Sequence, residues 1–147
     1  MNFLVSSINT CLFTGKISRA PGTVGSIFAL IIWWIFSPSI SSMLILLVLI
    51  TLLSYYTISI ALKNTDDKDP QYIVIDEAIG MWISVLFIST NDFLNIFLAF
   101  ICFRLLDIIK PSIIYRIQYI KGPGGILADD IIAGIFTCLV FAGITSI

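Results

Sequence analysis

A run of twenty residues without a charge, Met43 to Leu62, constrains this chain more than any other feature. As an α-helix it is about 30 Å long at 1.5 Å per residue, the thickness of a bilayer's hydrocarbon core, so the run is predicted to cross a membrane. Of the 147 residues 59% are hydrophobic and the mean hydropathy is +1.06, whereas soluble domains hold roughly 45–50% apolar residues. The length suits a single domain, residues 1–147. Ahead of the long run, the apolar stretch Val24 to Phe36 ends at Ser37-Pro38, and the short uncharged link to Ser42 predicts a helical hairpin. Ala78 to Ile88, Phe93 to Phe103 and Ile131 to Ile147 complete five apolar segments. The expected fold is all-α, a compact multi-helical membrane-embedded bundle with short helices and cytoplasmic-side loops. No repeat or low-complexity tract interrupts it, and the N-terminus lacks the basic flank and small-residue cleavage pattern of a signal peptide.

Acids are costly in such a chain, about 2.5–3.5 kcal/mol for an Asp at the bilayer centre. Three apolar-flanked blocks nevertheless carry them: Asp76-Glu77, Arg104-x-x-Asp107-x-x-Lys110-Pro111, and Asp129-Asp130 after the loop Gly122-Pro123-Gly124-Gly125. Such residues need a cation. Histidine is absent, which removes His-based phosphatase and Ser-His-Asp chemistry and leaves oxygen as the only plentiful metal donor, so the natural guest is a hard cation such as Mg²⁺. Cys11, Cys102 and Cys138 read as small buried hydrophobes. A net charge of −1 offers no basic excess for nucleic acid. The run Lys63 to Pro70 reads as a solvated turn whose charges keep it in water.

Arg104, Asp107 and Lys110 recur at steps of three, along one slowly drifting helical face. Ion pairs of Arg104 or Lys110 with Asp107 are the structural alternative to a functional role. Asp129 or Asp130 alone would serve as an N-cap of the final helix, although an adjacent pair is harder to explain that way. Paired carboxylates beside cations are what metal-assisted phosphoryl transfer requires. Asp76, Glu77, Asp107, Asp129 and Asp130 are therefore candidate catalytic residues, with Asp76, Glu77, Asp129 and Asp130 as metal ligands. Arg104 and Lys110 are candidate phosphate clamps. The segment Ala20 to Ser26, which includes Thr23, is a turn entering a helix whose free N–H groups could hold the same anion. Other phosphatase signatures fail: there is no Cys-x₅-Arg, and Asp67-Lys68-Asp69 lies in a polar loop. If each apolar segment crosses once, all eight basic residues and every acid except Asp92 fall on one side, which the positive-inside rule makes cytoplasmic; segments of eleven to thirteen residues reach only roughly 16–20 Å as helices, so core helices or re-entrant pieces are the alternative for the short ones.

Ala20-Pro21-Gly22-Thr23-Val24-Gly25-Ser26, Asp76-Glu77-x-x-Gly80-Met81-Trp82, Phe103-Arg104-x-x-Asp107-x-x-Lys110-Pro111 and Gly125-Ile126-x-x-Asp129-Asp130-x-x-Ala133-Gly134 together resemble the phosphatidylglycerophosphatase A family. The resemblance implies an all-helical, Mg²⁺-dependent bacterial enzyme that removes the terminal phosphate of phosphatidylglycerophosphate to give phosphatidylglycerol; with the hydropathy and the charge placement, the expected location is the inner membrane with the active site facing the cytoplasm. Leu127 stands where Met is common and Pro123 replaces a frequent Gly, departures that bear on substrate positioning. Water is the expected nucleophile, and a covalent phosphoaspartate stays open because any of five carboxylates could attack. Two rivals remain: a CDP-alcohol phosphotransferase, whose longer series of Asp and Gly is not found here, and a non-catalytic membrane subunit using the charges as ion pairs. The sequence leaves room for an oligomer.

Overall fold

Proline, glycine and serine punctuate the helices. A computed structural model describes residues 3–17, 19–67, 69–111, 117 and 120–145, and all regular structure among them is helical. α1 (Phe3–Asn9) leads through a 3-10 turn (Thr14–Lys16) into α2 (Pro21–Phe36). Pro21 sits in the first turn of α2, where a missing N–H costs nothing, and Ser37 closes the helix in the left-handed conformation. The Ser39 hydroxyl then caps α3 (Ile40–Leu62), accepting from the Ser42 N–H at 3.2 Å. α4 (Ile75–Ser84), α5 (Phe93–Ile109) and α6 (Pro123–Thr145) follow.

α6 departs from expectation. The apolar pattern suggested a helix from Ile131 led by the two aspartates, but the helix begins at Pro123. Gly122, at φ +82°, turns the chain in a conformation glycine adopts without strain, and Pro123 is pre-set for a first helical position. Asp129 and Asp130 consequently lie inside the helix, 6% and 4% exposed. Capping does not account for them.

α4 is the axis of the bundle. Seven of its ten residues are buried, and it packs against α2, α3, α5 and α6. The expected α2–α3 hairpin is split by this arrangement: α2 lies chiefly on α4, while α3 packs on α1, α4 and α6. α4 and α6 meet most closely at two glycines. A Cβ on Gly134 would come within 2.5 Å of the Gly80 carbonyl oxygen and 3.1 Å of its Cα. At the N-terminal end of α4, the buried Asn9 holds three elements together. Its amide donates to Thr57 O at 3.2 Å, its Oδ1 accepts from the Thr57 hydroxyl at 2.6 Å, and its backbone carbonyl accepts from the Val74 N–H at 2.8 Å.

The outer surface is apolar where a soluble protein would be polar. Val48, Leu49, Leu52 and Tyr56 are exposed on α3, as are Phe93, Leu94, Phe97 and Leu105 on α5. Two helices, Ile40–Leu62 and Pro123–Gly143, are long and apolar enough to cross a membrane. α4 is not: ten residues reach about 15 Å, and the segment Ala78 to Ile88 contributes to a central core helix, the alternative to a crossing that its shortness left open. Lys68 and Arg116, two of the cations in the topology argument, lie outside the described residues.

Candidate active site

The starts of α2, α4 and α6 and the end of α5 converge on a cleft of about 190 Å³. Asp76, Glu77, Asp107, Asp129, Asp130, Arg104 and Lys110, separated by up to 54 positions in sequence, all line it. Thr23 does not line it; the turn into α2 contributes Ala20, Pro21 and Gly22 instead. Gly22 is there because of crowding: a Cβ would strike Glu77 Oε1 and lie 3.2 Å from Arg104 Nη1.

The first turn of α4 and the second of α6 bring Asp76, Glu77 and Asp130 together, one carboxylate oxygen from each lying within 4.8 Å of the others. Asp76 Oδ1, Glu77 Oε2 and Asp130 Oδ1 are buried without a hydrogen-bond partner. Buried anionic oxygens left unsatisfied are strongly unfavourable, so this trio needs a counter-charge. Burial pushes the Asp76 carboxyl well above the usual carboxylate range, and the neighbouring Glu77 charge adds to the rise. Glu77 is raised as well, by burial first, although the adjacent Asp76 carboxyl works the other way. The donor set is all oxygen and suits a hard divalent cation, and carboxylate rotation can close the observed spread around an ion that takes donors at about 2.0–2.1 Å. Asp76, Glu77 and Asp130 fit that role. Asp129, expected beside them, is engaged elsewhere.

Two cations face the trio. Arg104 Nη1 lies 2.7 Å from Asp107 Oδ2, and Lys110 Nζ donates to Asp129 Oδ2 at 2.5 Å. Helical spacing had put both cations beside Asp107. Pro111 explains the difference, because it disfavours the α conformation at the residue before it. Lys110 closes α5 in the left-handed conformation at φ 46°, its N–H bonded to Leu106 O at 2.9 Å, which takes its side chain off the face that Arg104 and Asp107 share. Burial works to lower the Lys110 pKa, but the Asp129 carboxylate outweighs it and the net shift is upward.

Asp69 and Gln71 also line the cleft. Sequence reasoning had left Asp69 in a solvated charge run. The one available signal was Pro70, which ends that run and turns the chain back toward Asp76-Glu77.

Among the described residues, an all-helical fold surrounds an acid-lined cleft that also holds two cations, an arrangement suited to phosphoryl chemistry. The comparisons with known proteins sharpen the class. The family model described as Phosphatidylglycerophosphatase A matches residues 7–145. A phosphatidylglycerophosphatase A of Escherichia coli is 34% identical over 119 residues, covering 80% of this chain and 69% of the relative. The protein of that name from Haemophilus influenzae is 32% identical over 130 residues, covering 86% and 80%. A Bacteroides thetaiotaomicron protein with the provisional name phosphatidylinositol-3-phosphatase is 32% identical over 148 residues, covering 96% and 93%. No solved structure matches. The chain belongs to the phosphatidylglycerophosphatase A family, and it is a phosphatase of that class.

Proposed function

We propose that this chain hydrolyses the terminal phosphate monoester of phosphatidylglycerophosphate, releasing inorganic phosphate and phosphatidylglycerol, with Mg²⁺ as its cation and its cleft at the cytoplasmic face of a bacterial inner membrane. The observation that carries the reading is the trio Asp76, Glu77 and Asp130, with its unpartnered buried oxygens, set opposite Arg104 and Lys110. The names of the Escherichia coli and Haemophilus influenzae relatives supply the substrate. The apolar outer faces of α3 and α5 support a lipid environment, and the gathering of Arg104, Lys110 and Lys121 near one end of the bundle supports the cytoplasmic side.

Held by Asp76, Glu77 and Asp130, Mg²⁺ would neutralise phosphoryl charge as a Lewis acid. Arg104 and Lys110 bind the non-bridging oxygens: the hydrogen bond to Asp129 holds the Lys110 head, while Arg104, ion-paired with Asp107, keeps Nε and Nη1 without a hydrogen-bond partner. The bare Gly22 backbone leaves the cleft floor open beside Glu77. Water is the nucleophile of this reading, because Asp76, Glu77 and Asp130 are assigned to the cation while Asp107 and Asp129 are paired with Arg104 and Lys110.

Phosphate release from phosphatidylglycerophosphate in detergent micelles, with Mg²⁺ or with EDTA, tests the reading. Turnover with Mg²⁺ and none in EDTA is expected. Full turnover in EDTA would refute the metal, and release from phosphatidylinositol 3-phosphate alone would reassign the substrate. A CDP-alcohol phosphotransferase or a non-catalytic subunit would release no phosphate from either lipid.

A further inference from the structure

A second cavity, about 440 Å³, opens beside the reaction cleft. Leu62, Ile120 and Ile126 give it apolar walls, and Asp66, Asp67 and Lys121 stand among its polar lining. Both cavities are bounded by Asp69, Ile126 and Asp129. A phosphate monoester with its phosphoryl group among the cations of the smaller cleft and its alcohol portion in the larger cavity would carry its scissile P–O bond along the shared wall. Ile126 on that wall has no proton to give, and Asp129 is held by Lys110. Asp69 remains: solvent reaches the residue and can return a proton to it, while its carboxyl is partly shielded where it meets the cavity wall.

We infer that Asp69 is the general acid that protonates the departing alcohol oxygen, and that the larger cavity receives the alcohol portion of the substrate. The inference rests on the phosphatase reading above. Desolvation holds the Asp69 carboxyl above its ordinary range, the Asp129 charge adds to the rise, Lys110 opposes it, and Asp67 and Asp107 add smaller contributions. In the reaction, a water oxygen forms a bond to phosphorus as the P–O bond to the alcohol breaks. The electron pair stays on the alcohol oxygen, which takes the Asp69 proton. The proton shed by the attacking water passes to solvent, from which Asp69 is protonated again. A glycerol alkoxide is too basic to leave unprotonated, so the step is worth about 10²- to 10⁴-fold in rate.

The test uses the purified full chain in micelles with Mg²⁺, comparing phosphatidylglycerophosphate with its analogue carrying sulfur in the scissile bridge, whose thiolate leaves without a proton. Asp69→Asn should lower kcat on the oxygen substrate about a hundredfold or more, yet change the sulfur substrate by less than about threefold, and the alkaline fall of the kcat/KM profile should disappear. Equal losses on both substrates would make Asp69 structural and overturn the inference. An unchanged rate on the oxygen substrate, or an unchanged pH profile, would do the same. A wild-type protein inactive on phosphatidylglycerophosphate would instead remove the functional reading, and this inference with it.

Discussion

Adding one methyl group at Gly134 should silence the enzyme while leaving it folded. Gly134 meets Gly80 where α6 crosses α4, and an alanine Cβ would sit 2.5 Å from the Gly80 carbonyl oxygen and 3.1 Å from its Cα. Both are backbone atoms that cannot rotate away. Restoring ordinary contact requires the two helices to part by about 1 Å, an overpacking strain of about 1–3 kcal/mol. Replacing a helical glycine by alanine returns about 0.8–1 kcal/mol in propensity, so the net loss of stability is modest, about 0–2 kcal/mol. The catalytic effect is larger. Asp130 lies one turn before Gly134, and Asp76 and Glu77 lie one turn before Gly80, so the separation falls directly on the carboxylate trio. A misplacement of about 1 Å at a reacting centre costs on the order of a hundredfold in rate. Gly134→Ala should thus unfold within a few degrees of wild type but turn over about a hundredfold more slowly and need more Mg²⁺ for half-maximal activity. Wild-type turnover with an unshifted Mg²⁺ requirement would show that the trio does not depend on this crossing.

Asp76→Asn and Asp130→Asn should each reduce turnover by about a hundredfold or more and abolish stabilisation by Mg²⁺ in thermal unfolding, whereas Asp92→Asn, whose side chain caps α5 by accepting from the Asn95 N–H at 3.1 Å, should stay within about 0.5 kcal/mol and keep full activity because Asn also caps. Lys110→Ala leaves Asp129 without its partner and should cost about 1–3 kcal/mol; adding Asp129→Asn should restore stability but not kcat, and recovery of both would reduce Lys110 to an ion-pair role. Without metal, Asp76 binds its proton more tightly folded than unfolded, so stability falls as pH rises above about 4 toward the raised folded pKa. Mg²⁺ competes with that proton, so its stabilising effect, read by calorimetry, should be larger at pH 8 than at pH 5; equal effects would remove the trio as the metal site.

The apolar runs made the helices legible because burial and lipid contact demand the same thing of a sequence: long segments without charge. α3 and α5 lie close to where those runs place them. α6 was misjudged by eight residues at its start, because Gly124, Gly125 and two aspartates read as a loop and cap, while Gly122 and Pro123 in fact launch the helix earlier. The seven charged residues of the expected site were legible for a similar reason. An acid or cation flanked by apolar residues has little purpose there except to meet an opposite charge, and all seven line one cleft.

What the sequence determined by itself was therefore the helical class, the absence of histidine and the charged residues that meet in the cleft. Pairing was decided only in three dimensions. Local spacing could not show that Pro111 turns Lys110 from Asp107 to Asp129, that Asp76, Glu77 and Asp130 form the trio while Asp129 stands outside it, or that Asp69 reaches the wall between two cavities. Those outcomes depend on how closely α4 and α6 approach. That distance is set by two glycines, Gly80 and Gly134, more than fifty residues apart, whose meaning appears only when the backbones touch.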